Sequence, residues 1–117
     1  MKMMLMLLLP ILGLVSGSDV VVGVLGKPAF IECQLPVSDT LVWEVENSGI
    51  IAMNGKLLDD NSTKYAIQRQ TGFRESLIIH DVTLADDKSY QCHDIRNRST
   101  VVETKLNVLG KLLPISP

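Results

Sequence analysis

Asp86-Asp87-Lys88-Ser89-Tyr90-Gln91-Cys92 (DDKSYQC) sets an acid pair, a tyrosine and a cysteine at short spacings late in the chain. The other cysteine of the 117 residues stands far upstream, at Cys33 in AFIECQL. Two cysteines embedded in apolar strand patterns can be a redox pair, half of a metal site or a structural staple. Compartment and strand parity decide among these.

The compartment is read from the opening segment, MKMMLMLLLPILGLVSGS. Lys2 precedes an apolar run from Met3 to Val15, and the small residues Gly17 and Ser18 close it. That is the three-part pattern of a secretory signal peptide. The run is too short to span a bilayer, and Pro10 interrupts it. Residues 1–18 are therefore expected to be a leader, with the mature chain starting at Ser18 or Asp19. Secretion places both cysteines where a disulfide is the default state.

Removing Lys2 with the leader takes the formal charge from −2 to −3. A mild negative balance without a basic cluster argues against nucleic acid or an anionic membrane surface as partner. No other apolar run is long enough for a membrane span, so no membrane insertion is expected of the mature chain. Roughly a hundred residues remain, the size of one small β-domain.

Those residues read as short strands broken by turns. DVVVGVL is β-branched, Gly26-Lys27-Pro28 punctuates it, and AFIECQL alternates through Ala29, Ile31 and Cys33. TLVWEVE puts Leu41, Trp43 and Val45 on one face and Val42, Glu44 and Glu46 on the other. IIAM lies between the turn formers Asn47-Ser48-Gly49 and Asn54-Gly55. KYAIQRQ and RESLIIHDV follow, with Thr71-Gly72 as their turn, and SYQCHDI faces VVETKLNVL across a polar tip, Arg96-Asn97-Arg98-Ser99. The pattern predicts an all-β fold, an antiparallel β-sandwich with Greek-key connections over residues 19–109. Residues 110–117 (GKLLPISP) lose the alternation and are expected to be a linker or C-terminal tail.

In such a sandwich Cys33 and Cys92 would lie on facing sheets with inward side chains, and Trp43 would pack on the bridge. Closing a loop of about 60 residues stabilises the fold by roughly 4 kcal/mol in the chain-entropy model. Tyr90 shares the inward parity of Cys92, and its hydroxyl can turn back to the upstream backbone as a tyrosine corner. Asp86 begins that corner, where its carboxylate can accept turn donors and pair with a cation, Lys64 being the best candidate. On this reading these residues build the fold and do no chemistry.

Cys33, Trp43, LIIHDVTLADDKSYQC and the closing TKLNVL resemble a variable-type or intermediate-type domain of the immunoglobulin superfamily. Lys88 departs from the small residue usual at its position in that signature. VLGKPAFIECQL, ADDKSYQC and TKLNVLGKLLP are further similar to the first domain of the nephrin, Kirrel and irre family of cell-recognition proteins. The resemblance implies an immunoglobulin-like sandwich with one inter-sheet disulfide, and an extracellular domain that binds another immunoglobulin-superfamily protein, like or unlike itself.

No catalytic constellation competes with this. His80-Asp81 and His93-Asp94 are adjacent pairs whose side chains point to opposite faces of a strand, so neither acid can orient its histidine. Ser76 and Ser89 lack an activating context. The cysteines are too far apart to read as a metal pair, and Asp59-Asp60 and Asp86-Asp87 lack the ligand density of a calcium loop. No enzyme activity, cofactor or metal is expected.

A surface remains. Members of the superfamily commonly bind through the sheet that carries the tryptophan strand, and on period-two parity its outward positions include Glu44, Glu46, Gln91, His93 and Ile95. Ile51 or Met53 would add apolar area from an edge strand, and His93 makes pH-dependent binding a candidate property. The alternative is a freestanding secreted immune-type or decoy domain that holds a soluble or microbial ligand with its loops. Asn61-Ser62-Thr63 and Asn97-Arg98-Ser99 are glycosylation acceptor sequences in predicted loops, so Asn61 and Asn97 are candidate modification sites.

Overall fold

The computed structural model of the chain describes residues 17–35, 40–70 and 74–109. Of the leader expected over residues 1–18 only Gly17 and Ser18 are described, at the start of the first strand, and the expected turn at Thr71-Gly72 and tail over residues 110–117 lie outside the described residues. Among the described residues nine strands form: β1 (Gly17–Val24), β2 (Ala29–Gln34), β3 (Leu41–Val45), β4 (Gly49–Met53), β5 (Lys56–Leu57), β6 (Tyr65–Gln70), β7 (Arg74–Ile79), β8 (Ser89–Asp94) and β9 (Asn97–Leu109). They make a six-stranded sheet in the order β1-β9-β8-β3-β4-β5 and a three-stranded sheet in the order β2-β7-β6. This is the immunoglobulin-like sandwich, and the two extra strands beside β3 follow the variable-type arrangement.

Alternation in sequence becomes burial in structure. Ala29, Ile31 and Cys33 on β2 face Trp43 and Val45 on β3, Leu77 and Ile79 on β7, Tyr90 and Cys92 on β8, and Leu106 and Val108 on β9. Cys33 and Cys92 are joined across the sheets with their Cα atoms 6.5 Å apart. Trp43 is the ladder partner of Cys92, which puts the indole against the bridge region.

Two details depart from the sequence pattern. Strand β1 pairs with β9 in parallel, in register from Gly17↔Val102 to Val24↔Leu109, whereas every other pairing among the described residues is antiparallel. The β8–β9 turn is also tighter than the polar tip implied. Asp94 pairs with Asn97, so the turn is Ile95-Arg96 and Asn97 already opens β9. The cause is the Asp94 carboxylate, whose Oδ1 accepts the Arg96 N–H at 2.7 Å and closes the turn early.

The β4–β5 hairpin is the second short turn. Asn54 and Gly55 both take positive φ, 54° and 81°, the geometry of a two-residue turn that matches strand twist. That turn adds β5, an extra strand the sequence pattern did not separate from the loop after it.

Candidate functional site

The corner after β7 is built from the acid pair. Asp86 is buried, and its Oδ2 accepts Lys64 Nζ at 2.6 Å, the Thr83 backbone N–H at 2.8 Å and the Thr83 hydroxyl at 3.3 Å. The Tyr90 hydroxyl donates to the Asp86 carbonyl at 2.9 Å. Burial first, then the negative charges nearby, pushes the Tyr90 hydroxyl well above its ordinary value, and burial followed by Asp86 raises Tyr65. Asp87 points the other way, toward β9, taking Lys105 Nζ at 2.6 Å and the Val108 N–H at 2.9 Å. The doublet thus ties the corner to both sheets. Neutral tyrosines and satisfied carboxylates leave no group here poised for proton transfer.

The outer face of the six-stranded sheet is different. It carries Val42 and Glu44 on β3, Ile50 and Met53 on β4, Gln91 and His93 on β8, and Glu103 on β9. Val42 is 0% exposed although it points away from the core, and its ladder partners on this face are Met53 and His93. Glu44, Glu46, Gly49, Gln91 and Glu103 line a shallow depression of about 250 Å³. The Glu46 carboxylate accepts the Ser89 N–H at 2.8 Å, which fixes the rim where β3 meets β8.

Ile51 and His93 do not present themselves as alternation implied. The β3–β4 ladder shifts register between Trp43 and Glu44, so Ile50 opposes Glu44 and Ile51 becomes the extra residue. Ile51 therefore packs against the edge of the core, and Ile50, 38% exposed, takes the outward position. His93 keeps its outward parity but is 1% exposed. It sits at the irregularity between Cys92 and Asp94, with Nδ1 3.1 Å from the Asp94 carbonyl oxygen and Nε2 3.4 Å from Glu44 Oε1. Its Nδ1 thus faces the backbone of its sequence neighbour, and its Nε2 faces an acid of β3. Ile95 is exposed at the β8–β9 turn.

One polar network escaped the sequence reading. Glu75 on β7 has core parity and is 2% exposed. Its Oε1 accepts the Trp43 indole N–H at 3.0 Å, and its Oε2 accepts Arg69 Nε at 2.9 Å. The signal was present in RESLIIHDV, where the alternation that buries Leu77 and Ile79 buries Glu75 too. A buried carboxylate demands partners.

Among the described residues no group of three or more histidine, cysteine or acidic side chains could hold a metal, and no helix is long and apolar enough to cross a membrane.

No protein-family model matches the chain, and no curated protein matches it. Solved structures share the fold. The ZIG-8 IG1 homodimer gives a TM-score of 0.70 at 18% identity, over 80% of this chain and 81% of that one. Dpr11 IG1 bound to DIP-gamma gives 0.68 at 17% identity, over 77% and 97%. The Ig1 domain of mouse SynCAM 2 gives 0.66 at 25% identity, over 79% and 92%.

Proposed function

We propose that this chain is an extracellular recognition domain that docks on another immunoglobulin-like domain through the outer face of its six-stranded sheet. The observation that carries the reading is the apolar area of exposed Ile50 and half-buried Met53, seated over fully buried Val42, on a face that points away from the core. The outer side of the three-stranded sheet carries a narrower apolar row, Phe30, Ile78 and Ala66, with Phe30 52% exposed, among exposed Glu32, Gln34, Gln68, Gln70 and Arg74, so the test below includes that sheet. An apolar centre with a polar rim of Glu44, Gln91 and Glu103 suits a protein–protein contact. Several similar structures are of domains paired with a second immunoglobulin domain, as a homodimer or a heterodimer. The resemblance to the nephrin, Kirrel and irre family supports a place at the membrane-distal end of a cell-surface receptor.

The test uses the secreted chain against a panel of immunoglobulin ectodomains that includes the chain itself. Binding to one member, lost with Met53→Arg or Gln91→Arg and kept with Glu32→Arg on the opposite sheet, is the expected result. Loss with Glu32→Arg alone would move the contact to the other sheet, and no binding to any member would sink the recognition reading.

A further inference from the structure

We infer that Asn61 is an N-glycosylation site, and that its first sugar covers an apolar groove beside the β5–β6 connection. The groove borders the proposed docking face, with which it shares Ile50, but the attachment site itself lies outside that face.

The acceptor sequence Asn61-Ser62-Thr63 lies on a turn closed twice. Ser62 N–H donates to the Asp59 carbonyl at 3.1 Å, and Asn61 N–H donates to Asp59 Oδ1 at 3.0 Å. The middle residue is held inward, its hydroxyl oxygen accepting the Lys64 N–H at 3.1 Å. Asn61 and Thr63, the two residues that define an acceptor, are left exposed on either side of it. The Asn61 carboxamide makes no hydrogen bond among the described residues, so attachment breaks nothing in the folded chain.

The groove lies against this turn. It measures about 210 Å³ and is lined by Ile50, Ile51, Leu57, Leu58 and Tyr65 together with Asp59 and Ser62, the first two places before and the second next after Asn61 in the chain. Leu58 is 60% exposed. An exposed leucine beside an apolar groove and a half-buried tyrosine calls for a cover. A pyranose has one: its C–H face packs on apolar and aromatic side chains, while its hydroxyls stay in water. A sugar on Asn61 is tethered at the groove's lip.

The chemistry needs only a donor met during secretion, an oligosaccharide on a polyprenyl pyrophosphate. Asn61 Nδ2 forms the bond to sugar C1 as the C1–O bond to pyrophosphate breaks. The lipid pyrophosphate leaves, and Nδ2 gives one proton to a base of the transferase. Nothing is oxidised or reduced.

The full chain should be expressed in a eukaryotic secretory host. Amidase release of the glycan in heavy-oxygen water marks each occupied asparagine as a labelled carboxylate, read by peptide mass. Label at Asn61, absent from Asn61→Gln and Thr63→Ala and retained in Asn97→Gln, is expected. An unlabelled Asn61 in secreted protein, or a chain that never enters the secretory pathway, would overturn the assignment.

The groove is tested first on the same folded, wild-type protein, and then on one surface variant. An endoglycosidase that leaves one sugar should keep binding of an apolar fluorescent dye low. Complete removal should raise it several-fold, and Leu58→Ser should abolish the rise. Equal dye binding in the two trimmed forms would overturn the covering role while leaving the attachment site standing.

Discussion

Trp43 and Glu75 meet across the two sheets, indole N–H to carboxylate at 3.0 Å, beside the disulfide pair Cys33–Cys92. Glu75 is the ladder partner of Cys33 and Trp43 that of Cys92, so the hydrogen bond runs alongside the covalent bridge. Arg69, half-exposed on β6, neutralises the carboxylate from the rim.

Removing that carboxylate should cost more than its hydrogen bonds suggest. Glu75→Ala strands a buried indole N–H and leaves Arg69 without its anion, so a loss of about 2–3 kcal/mol is expected. Glu75→Gln keeps an acceptor for Trp43 and should lose about half of that. Urea unfolding midpoints decide the order. If the alanine and glutamine variants are equally stable, the Trp43 hydrogen bond contributes nothing.

The acid doublet divides its work unequally. Asp86 is buried and gathers Lys64 and two donors of Thr83, so Asp86→Ala should destabilise by about 2–3 kcal/mol. Asp87 and its partner Lys105 are each more than a third exposed, so Asp87→Ala should cost less than about 1 kcal/mol. Salt separates the two, since screening acts on the exposed pair. Measured in 1 M sodium chloride, roughly the regime of a 3 Å screening length, the Asp87 effect should shrink while the Asp86 effect persists.

High pH attacks the same corner. Tyr90 and Tyr65 titrate above their ordinary value of 10.0 in the folded chain, chiefly because burial disfavours the phenolate. Stability from the neutral hydroxyls is therefore fully present below pH 10. It falls as pH rises above 10, because the unfolded chain releases its protons first. Tyr90→Phe should cost about 1 kcal/mol near neutrality by losing the bond to the Asp86 carbonyl, and should flatten the alkaline slope. Parallel stability–pH curves for the two proteins between pH 9 and about 11 would contradict this.

The fold was legible because its deciding contacts follow short rules. Strict alternation in AFIECQL and TLVWEVE put Cys33 and Trp43 inside, and the four-residue reach from Tyr90 to Asp86 could be read along one segment. The face was less legible, since parity assigns direction and not accessibility. One extra residue in β4 turns Ile51 to the core and brings Ile50 out, and an irregularity at β8 buries His93 in spite of its outward parity. Both depend on how neighbouring strands register, which no single strand encodes. The parallel addition of β1 to β9 is of the same kind, a pairing between the two ends of the domain.

The network that starts at Trp43 ends at a glycine. Gly55 has φ of 81°, and a Cβ there would stand 2.8 Å from Arg69 Cδ and 2.9 Å from Arg69 Nε. Gly55→Ala should therefore meet two penalties, backbone strain of about 1 kcal/mol and displacement of the guanidinium from Glu75. The second is separable, because Arg69→Ala removes the atoms that the new methyl would strike. In a double-mutant cycle, Gly55→Ala should cost about 1 kcal/mol less in the Arg69→Ala background than in the wild type. A coupling of zero would mean that Arg69 moves aside freely, and that the turn between β4 and β5 exerts no hold on the Trp43–Glu75 pair.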